Sequence, residues 1–143
     1  MSRFLVAAAA CLIAGCAIGP VRAETVTFNG TMNGATEVPP KTTEGKGTAT
    51  ASLDTATKML TYQVDYSGLS GPATAGHFHG PAEAGANAPV AVPFAAPAAS
   101  PIKGTATLTD AQMADLMAGK WYANIHTAAN PAGEIRGQMT HGQ

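Results

Sequence analysis

The sequence predicts an all-β protein, an antiparallel Greek-key β-sandwich with one short helix. Three observations predict it. Thr, Val, Ala and Gly dominate the chain beyond residue 23, prolines punctuate it, and apolar residues fall on helical spacing only once. About seven short strands in about 120 residues, with a helix tucked into one connection, suit two packed sheets.

Residues 1–23, MSRFLVAAAACLIAGCAIGPVRA, read as a signal peptide: Arg3 supplies the positive start, Phe4 to Ile18 is nearly unbroken apolar residues, and Val21-Arg22-Ala23 offers small residues for cleavage. At about 15 residues the apolar run is short of the roughly 20 that span a bilayer, and nothing later in the chain approaches that length. Ile13-Ala14-Gly15-Cys16 also matches a lipobox, in which Cys16 carries a lipid. Cleavage after Ala23 and lipidation at Cys16 stand as alternatives. The expected mature chain, 24–143, is accordingly one exported domain, periplasmic or secreted, or lipid-anchored through Cys16.

Cys11 and Cys16 are the only cysteines, so the folded domain has no disulfide and its stability rests on an apolar core. Without Arg3 and Arg22 the basic residues fall from 8 to 6 against 9 acidic, a formal charge of −3. A nucleic-acid partner would want the opposite sign and a clustered basic face.

In the first expected strand, Val26, Phe28 and Met32 share a parity; Asn29-Gly30 and Asn33-Gly34 compete as turn signals, so a bulge or an early end is expected there. Ala49, Ala51 and Leu53 alternate in 46–53, and Leu60, Tyr62, Val64 and Tyr66 in 59–66. With the turn at 54–58 these form a hairpin. Residues 73–79 make a short strand. The following GPAEAGANAPVAVPFAAPAASP is too rich in Pro, Ala and Gly for regular pairing, and is either a functional or mobile loop or an ordered crossover held by Val90, Val92 and Phe94. Residues 103–108 return as a strand. Thr109 and Gln112 form a capping box, Met113, Leu116 and Met117 an apolar stripe, and Gly119 a C-terminal stop, which predicts one short helix with its methionines in the core. Two strands finish the domain, 120–127 with Trp121, Ala123 and Ile125 inward, and 133–140 with Ile135 and Met139 inward; Asn130-Pro131-Ala132-Gly133 turns between them.

The chain has four histidines, two of them in GHFHG at 76–80. Alternate strand residues share a face roughly 6.6–7 Å apart, so His77 and His79 point the same way with Phe78 opposed. His126 lies on the parity opposite Trp121, Ala123 and Ile125, outside the apolar core, with Tyr122 and Asn124 beside it. It is available as a third ligand wherever its strand approaches the pair. Three neutral imidazoles without a thiolate suit copper or zinc, with copper first in intrinsic affinity. Ring nitrogens within roughly 3–4 Å of one another would fit a common ion. Asp65, Glu83 and Glu134 are candidate acceptors for the imidazoles' second N–H, or ordinary solvated charges. His141 belongs to a polar tail. With a hairpin centred on Pro131, Arg136 faces His126 directly and either guides a small anion or bonds loop carbonyls or Glu134.

At these stretches the chain becomes recognisable. Glu37-Val38-Pro39-Pro40, His77-Phe78-His79-Gly80-Pro81-Ala82, Trp121-Tyr122-Ala123-Asn124-Ile125-His126-Thr127 and Gly133-Glu134-Ile135-Arg136-Gly137-Gln138 together resemble the CHRD domain family, from about Val26 to Met139. Among bacterial members the resemblance implies a secreted single-domain β-sandwich of poorly defined function, and in chordin itself it does not indicate an enzyme; the expected sandwich is immunoglobulin-like or superoxide dismutase-like. A weaker resemblance is to copper/zinc superoxide dismutases, which also carry a strand His-x-His, a later strand histidine and a late arginine on a Greek-key sandwich. It implies copper on His77, His79 and His126 with Arg136 guiding superoxide. The chain departs from that family in lacking its bridging histidine, its His/Asp-rich zinc loop and its disulfide cysteines.

Three functions follow as expectations: a binding module holding one copper or zinc ion through His77, His79 and His126; a copper-dependent redox enzyme; and a metal-free interaction or adhesion module with an unknown protein partner. Glu37, before Pro39-Pro40, reads as a structural corner.

Overall fold

The computed structural model describes residues 23–96 and 98–142; the leader up to residue 22, Cys16 included, lies outside the described residues. Nine strands and one helix follow in order: β1 Thr25–Asn33, β2 Lys46–Asp54, β3 Met59–Ser67, β4 Ala73–His79, β5 Val90–Pro93, β6 Ile102–Thr107, α1 Asp110–Met117, β7 Tyr122–Thr127, β8 Ile135–Gln138 and β9 Thr140–His141, with a 3-10 turn at Gly34–Thr36. They pair antiparallel in the order β5-β4-β7-β8-β1-β2-β3-β6, and β9 adds to β1. Between β8 and β1 the sheet is held by the single pair Asn33↔Arg136. There it folds over into two four-stranded layers.

The inner faces meet through aromatic rings. Tyr62 of β3 stands edge-on to Phe78 of β4 at 5.4 Å and beside Phe94 at 5.1 Å, while Phe78 reaches Trp121 at 5.9 Å. Phe28, Met32, Leu53, Leu60, Val64, Ile125, Ile135 and Met139 complete a fully buried core. Each such side chain contributes about 1.5–3 kcal/mol of burial free energy.

The predicted hairpin is present, with an unbroken ladder from Lys46↔Ser67 to Asp54↔Met59. Its turn is closed by Asp54 Oδ1, which accepts from the backbone N–H of Ala56 at 2.9 Å and Thr57 at 2.8 Å. The helix is capped as the sequence indicates, Thr109 and Gln112 exchanging side-chain and backbone bonds, and Gly119 beyond it takes φ +72.

Five expectations are corrected. The strand β1 runs without bulge or early end, Thr25↔Asp54 to Asn33↔Lys46; Gly30 marks a close approach rather than a turn, since a Cβ there would lie 2.9 Å from Met139 Sδ. The Pro- and Ala-rich crossover, expected to lack regular pairing, contains β5; Val92 and the following Phe94 are buried as in the crossover alternative, while Val90 is not. Met117 is 37% exposed, because the eight-residue helix turns only Leu116 fully inward. The last strand divides: Met139 plugs the core, and Thr140–His141 pair with β1 instead, with the His141 ring over Phe28 at 5.0 Å. Finally, Arg136 does not face His126. Thr127 and Asn130 exchange backbone hydrogen bonds and Glu134 N–H donates to Ile125 O at 2.8 Å, so the turn closes one residue earlier than Pro131. That pairs Ile125 with Ile135 and Arg136 with Asn124. A slip of two residues keeps the face and changes the neighbour.

Candidate metal centre

Both faces of the β4–β7–β8 region are covered. Inward lie Phe78, Trp121, Ala123, Ile125 and Ile135; outward lie His77, His79, Tyr122, Asn124, His126 and Arg136, of which Tyr122, Asn124 and Arg136 are buried beneath loops. The glycines of GHFHG admit the inner packing, for a Cβ on Gly76 would collide with Phe94 and one on Gly80 with Trp121.

The β4–β7 ladder pairs Ala75 with His126, His77 with Asn124 and His79 with Tyr122. His126 is therefore a diagonal neighbour of His77. Ring centroids are 5.0 Å apart for His77–His126, 5.4 Å for His77–His79 and 6.1 Å for His79–His126. One ring nitrogen from each lies within 4.8 Å of the other two, the shortest pair being His77 Nδ1 and His126 Nε2 at 3.1 Å.

Hydrogen bonding assigns the tautomers. His79 Nδ1 lies 2.9 Å from Ala88 O and His126 Nδ1 3.0 Å from Pro131 O. A carbonyl only accepts, so each Nδ1 carries the proton and each Nε2 keeps a lone pair. The lone pair of His126 accepts from His77 Nδ1–H. That of His79 is buried with no partner. An orphaned buried polar atom costs about 1–3 kcal/mol, and here it belongs to one of the three rings whose nitrogens lie within 4.8 Å of one another.

The electrostatics favour the neutral form of the trio. Burial lowers the His77 pKa, and positive charge on His126 or His79 would lower it further. For His79 burial again leads, opposed by the Ala88 carbonyl and reinforced by His126 and Arg136. His126 is lowered by burial against the opposing Pro131 carbonyl. All three imidazoles are neutral near pH 7.

Around them the outer face forms a continuous stack. Tyr122 lies parallel to His79, 4.9 Å away with 4° between planes, and its hydroxyl accepts from Ala88 N–H at 3.1 Å. Over Tyr122, from the β8 side, sits the Arg136 guanidinium, 3.4 Å from the ring centroid. Its Nη1 donates to Asn87 Oδ1 at 2.9 Å and its Nη2 to Ala86 O. Residues 86–88 are thus pinned by Arg136, Tyr122 and His79, which is why this stretch of the crossover is ordered. Asn124 donates to Ile135 O at 2.9 Å and to Glu37 Oε1. Burial pushes the Glu37 carboxyl up, with the Asn124 bond and Arg136 opposing. Glu37 and Arg136 border a cleft of about 390 Å³ that the histidines do not line.

The carboxylates expected beside the imidazoles are engaged elsewhere. Glu134 is fully buried and accepts from Thr43, Ser70, Thr127 and Asn130. Asp65 accepts from Gln63 Nε2 at 2.8 Å, and Glu83 lies 3.9 Å from Lys120 Nζ. Backbone carbonyls of Ala88 and Pro131 take the role instead. No side-chain signal announces a carbonyl, so sequence reasoning had no means to find them. Glu37, read as a corner, proves to be a buried member of the outer polar network, and nothing but its place before two prolines singled it out.

The donor set fits a small ion. At a metal–nitrogen length of about 2.0–2.1 Å the edge of a tetrahedral ligand set is roughly 3.3–3.4 Å, close to the His77–His126 spacing. The 4.8 Å spread is wider than that edge and than the 3–4 Å expected, so with His77 and His126 already 3.1 Å apart His79 has to swing inward by about 1–1.5 Å to join.

No curated protein and no solved structure matches the chain. The family model of the CHRD domain matches residues 28–139, a span that contains both layers of the sandwich, the three histidines and the stack beside them. On that match the chain belongs to the CHRD domain family.

Proposed function

We propose that this CHRD domain is an exported binding module that holds one copper or zinc ion through His77, His79 and His126. The observation that carries the reading is the convergence of three neutral imidazoles, two of them locked by backbone carbonyls and one presenting a buried lone pair without a partner. Outer hydrogen bonds of that kind fix ring orientation at metal sites. Export rests on the leader and on the family. Among the described residues no helix is long and apolar enough to cross a membrane.

The ion would serve storage, delivery or reinforcement of the β4–β7 pairing. For a redox enzyme of the dismutase kind, Arg136 would need to be free to draw in an anion; two of its nitrogens are instead spent on the 86–87 loop and its plane on Tyr122.

Thermal melts with copper or zinc test the reading. At a hundredfold excess over Kd a single site contributes about 2.7 kcal/mol, a rise in Tm on the order of 10 °C for a domain of this size. The rise is expected to vanish in the triple alanine variant and to shrink as pH falls through the imidazole range, where protons compete for the ligand nitrogens. An unchanged Tm with either metal, and no calorimetric heat beyond that of the variant, would leave the metal-free interaction module as the surviving reading.

A further inference from the structure

Among the described residues the ligand set consists of three imidazoles and nothing else; no carboxylate or thiolate joins it. A singly charged ion there carries a net charge of one, a doubly charged ion a net charge of two. The second nitrogens of His79 and His126 donate to carbonyls of Ala88 and Pro131 rather than to carboxylates, so the outer shell feeds little negative charge inward. A fixed cation stands close by. Arg136 is 2% exposed, has no carboxylate within ion-pair distance among the described residues, and is stacked on Tyr122, which is stacked on His79. The nearby Glu37 is held by Asn124 and offers no ligand atom to the trio. Taken end to end, the stack puts the guanidinium roughly 8 Å from the imidazole.

Coordination number points the same way. Zinc(II) completes a tetrahedron and copper(II) takes four or more ligands in a tetragonal arrangement, whereas copper(I) is content with three. The His79 Nε2 that completes the trio is buried, which leaves little room for a fourth ligand on its side.

We propose that the centre favours copper(I) over copper(II) and zinc(II), with Arg136 as a positioning residue that raises the cost of the higher charge through the Tyr122–His79 stack. This rests on the metal-binding reading above. By linkage, each tenfold preference for copper(I) over copper(II) raises the reduction potential of the bound ion by 59 mV.

The test is anaerobic competition titration of the mature chain: copper(I) against bicinchoninate, copper(II) and zinc(II) against a chelator of known affinity. The expected result is copper(I) bound at least about tenfold more tightly than copper(II), with zinc weaker again, and all three lost in the triple alanine variant. Arg136→Gln is expected to narrow the copper(I)–copper(II) gap by about tenfold, the order expected for one charge at this range in a half-buried setting, and Arg136→Lys to retain most of it. Copper(II) or zinc(II) binding as tightly as copper(I) overturns the proposal while leaving the metal site standing. Failure of every ion to bind overturns both. Because Arg136 is buried and its replacement can cost the fold, the order of affinities in the unmodified protein decides the preference by itself, and a folded Arg136→Gln with an unchanged gap removes Arg136 from it.

Discussion

His126 and Thr127 are neighbours on β7 and belong to two polar clusters of opposite kinds. Thr127 turns to Glu134, whose Oε1 accepts from Thr43 Oγ1 at 2.6 Å and Ser70 N–H at 2.8 Å, and whose Oε2 accepts from Ser70 Oγ and Thr127 Oγ1, each at 2.6 Å, and from Asn130 Nδ2 at 3.2 Å. That cluster is saturated. His126 turns to the outer face, where His77 and His79 leave a buried lone pair with nothing to bond. A buried polar cluster with every group satisfied ties segments together and has no capacity left for a ligand; one that holds a buried lone pair without a partner has been left incomplete at a cost in stability. The first is structural. The second has the character of a site.

The largest expected effect comes from breaking the saturated side. Glu134→Ala strands five donors contributed by Thr43, Ser70, Thr127 and Asn130, and is expected to cost about 3 kcal/mol or more in urea unfolding, equally with and without metal. A metal-dependent loss would mean that the two clusters are not separate.

Next is His79→Phe, which removes the orphaned nitrogen together with the bond to Ala88 O and keeps an aromatic ring beside Tyr122. The lost bond and the removed orphan offset in part, so the metal-free protein is expected to lose about 1 kcal/mol, while the metal-induced rise in Tm collapses. Comparable losses in both would place His79 with the structural residues.

Acid titration separates the clusters by window. Desolvation would raise the Glu134 carboxyl, but the bonds from Ser70, Thr127 and Thr43 outweigh it and bring the pKa down from 4.5 to about 2. A carboxylate with a depressed folded pKa gives stability that is full above its unfolded value and is lost as pH falls from 4.5 towards about 2. The histidines are also depressed, by burial, so the unfolded chain takes up protons first; their contribution is present above pH 6.5 and begins to be lost as pH falls below it. Melting curves across pH are expected to show two steps, the upper one absent from the triple alanine variant. A single step near pH 4 would mean that the histidines are not held neutral by the fold.

The smallest effect sharpens the contrast. Asn130→Ala removes one of five donors, the longest, and is expected to cost about 0.5–1 kcal/mol, well below the loss of the carboxylate itself. A cost equal to that of Glu134→Ala would show that the cluster works through the Asn130 turn rather than through charge.

Much of the fold was legible from alternation. Ala49, Ala51 and Leu53 against Leu60, Tyr62 and Val64 specify a hairpin with one buried face, and the ladder follows that pattern residue for residue. Thr109 and Gln112 announce a helix start by a bond three residues long. Less legible were features set by remote neighbours. Nothing local says that Gly30 lies under Met139, that Val90–Pro93 can pair despite Pro93, or that both faces of β7 are covered. For the candidate site, the three converging histidines were readable by parity, whereas the Arg136 register differs by two residues because hydrogen bonds between Thr127 and Asn130 decide where the turn closes.

By itself the sequence determined which way each side chain points. Strand pleating is a local property with a period of two, so His77 and His79 had to share a face and His126 had to oppose Trp121, Ala123 and Ile125. Only the tertiary structure decided which faces meet. His77 and His126 are 49 residues apart, and the pairing of β4 with β7 that brings them within 3.1 Å depends on the sandwich burying Phe78, Trp121 and Tyr62 together. That is a long-range balance of burial against chain entropy, which no local pattern records.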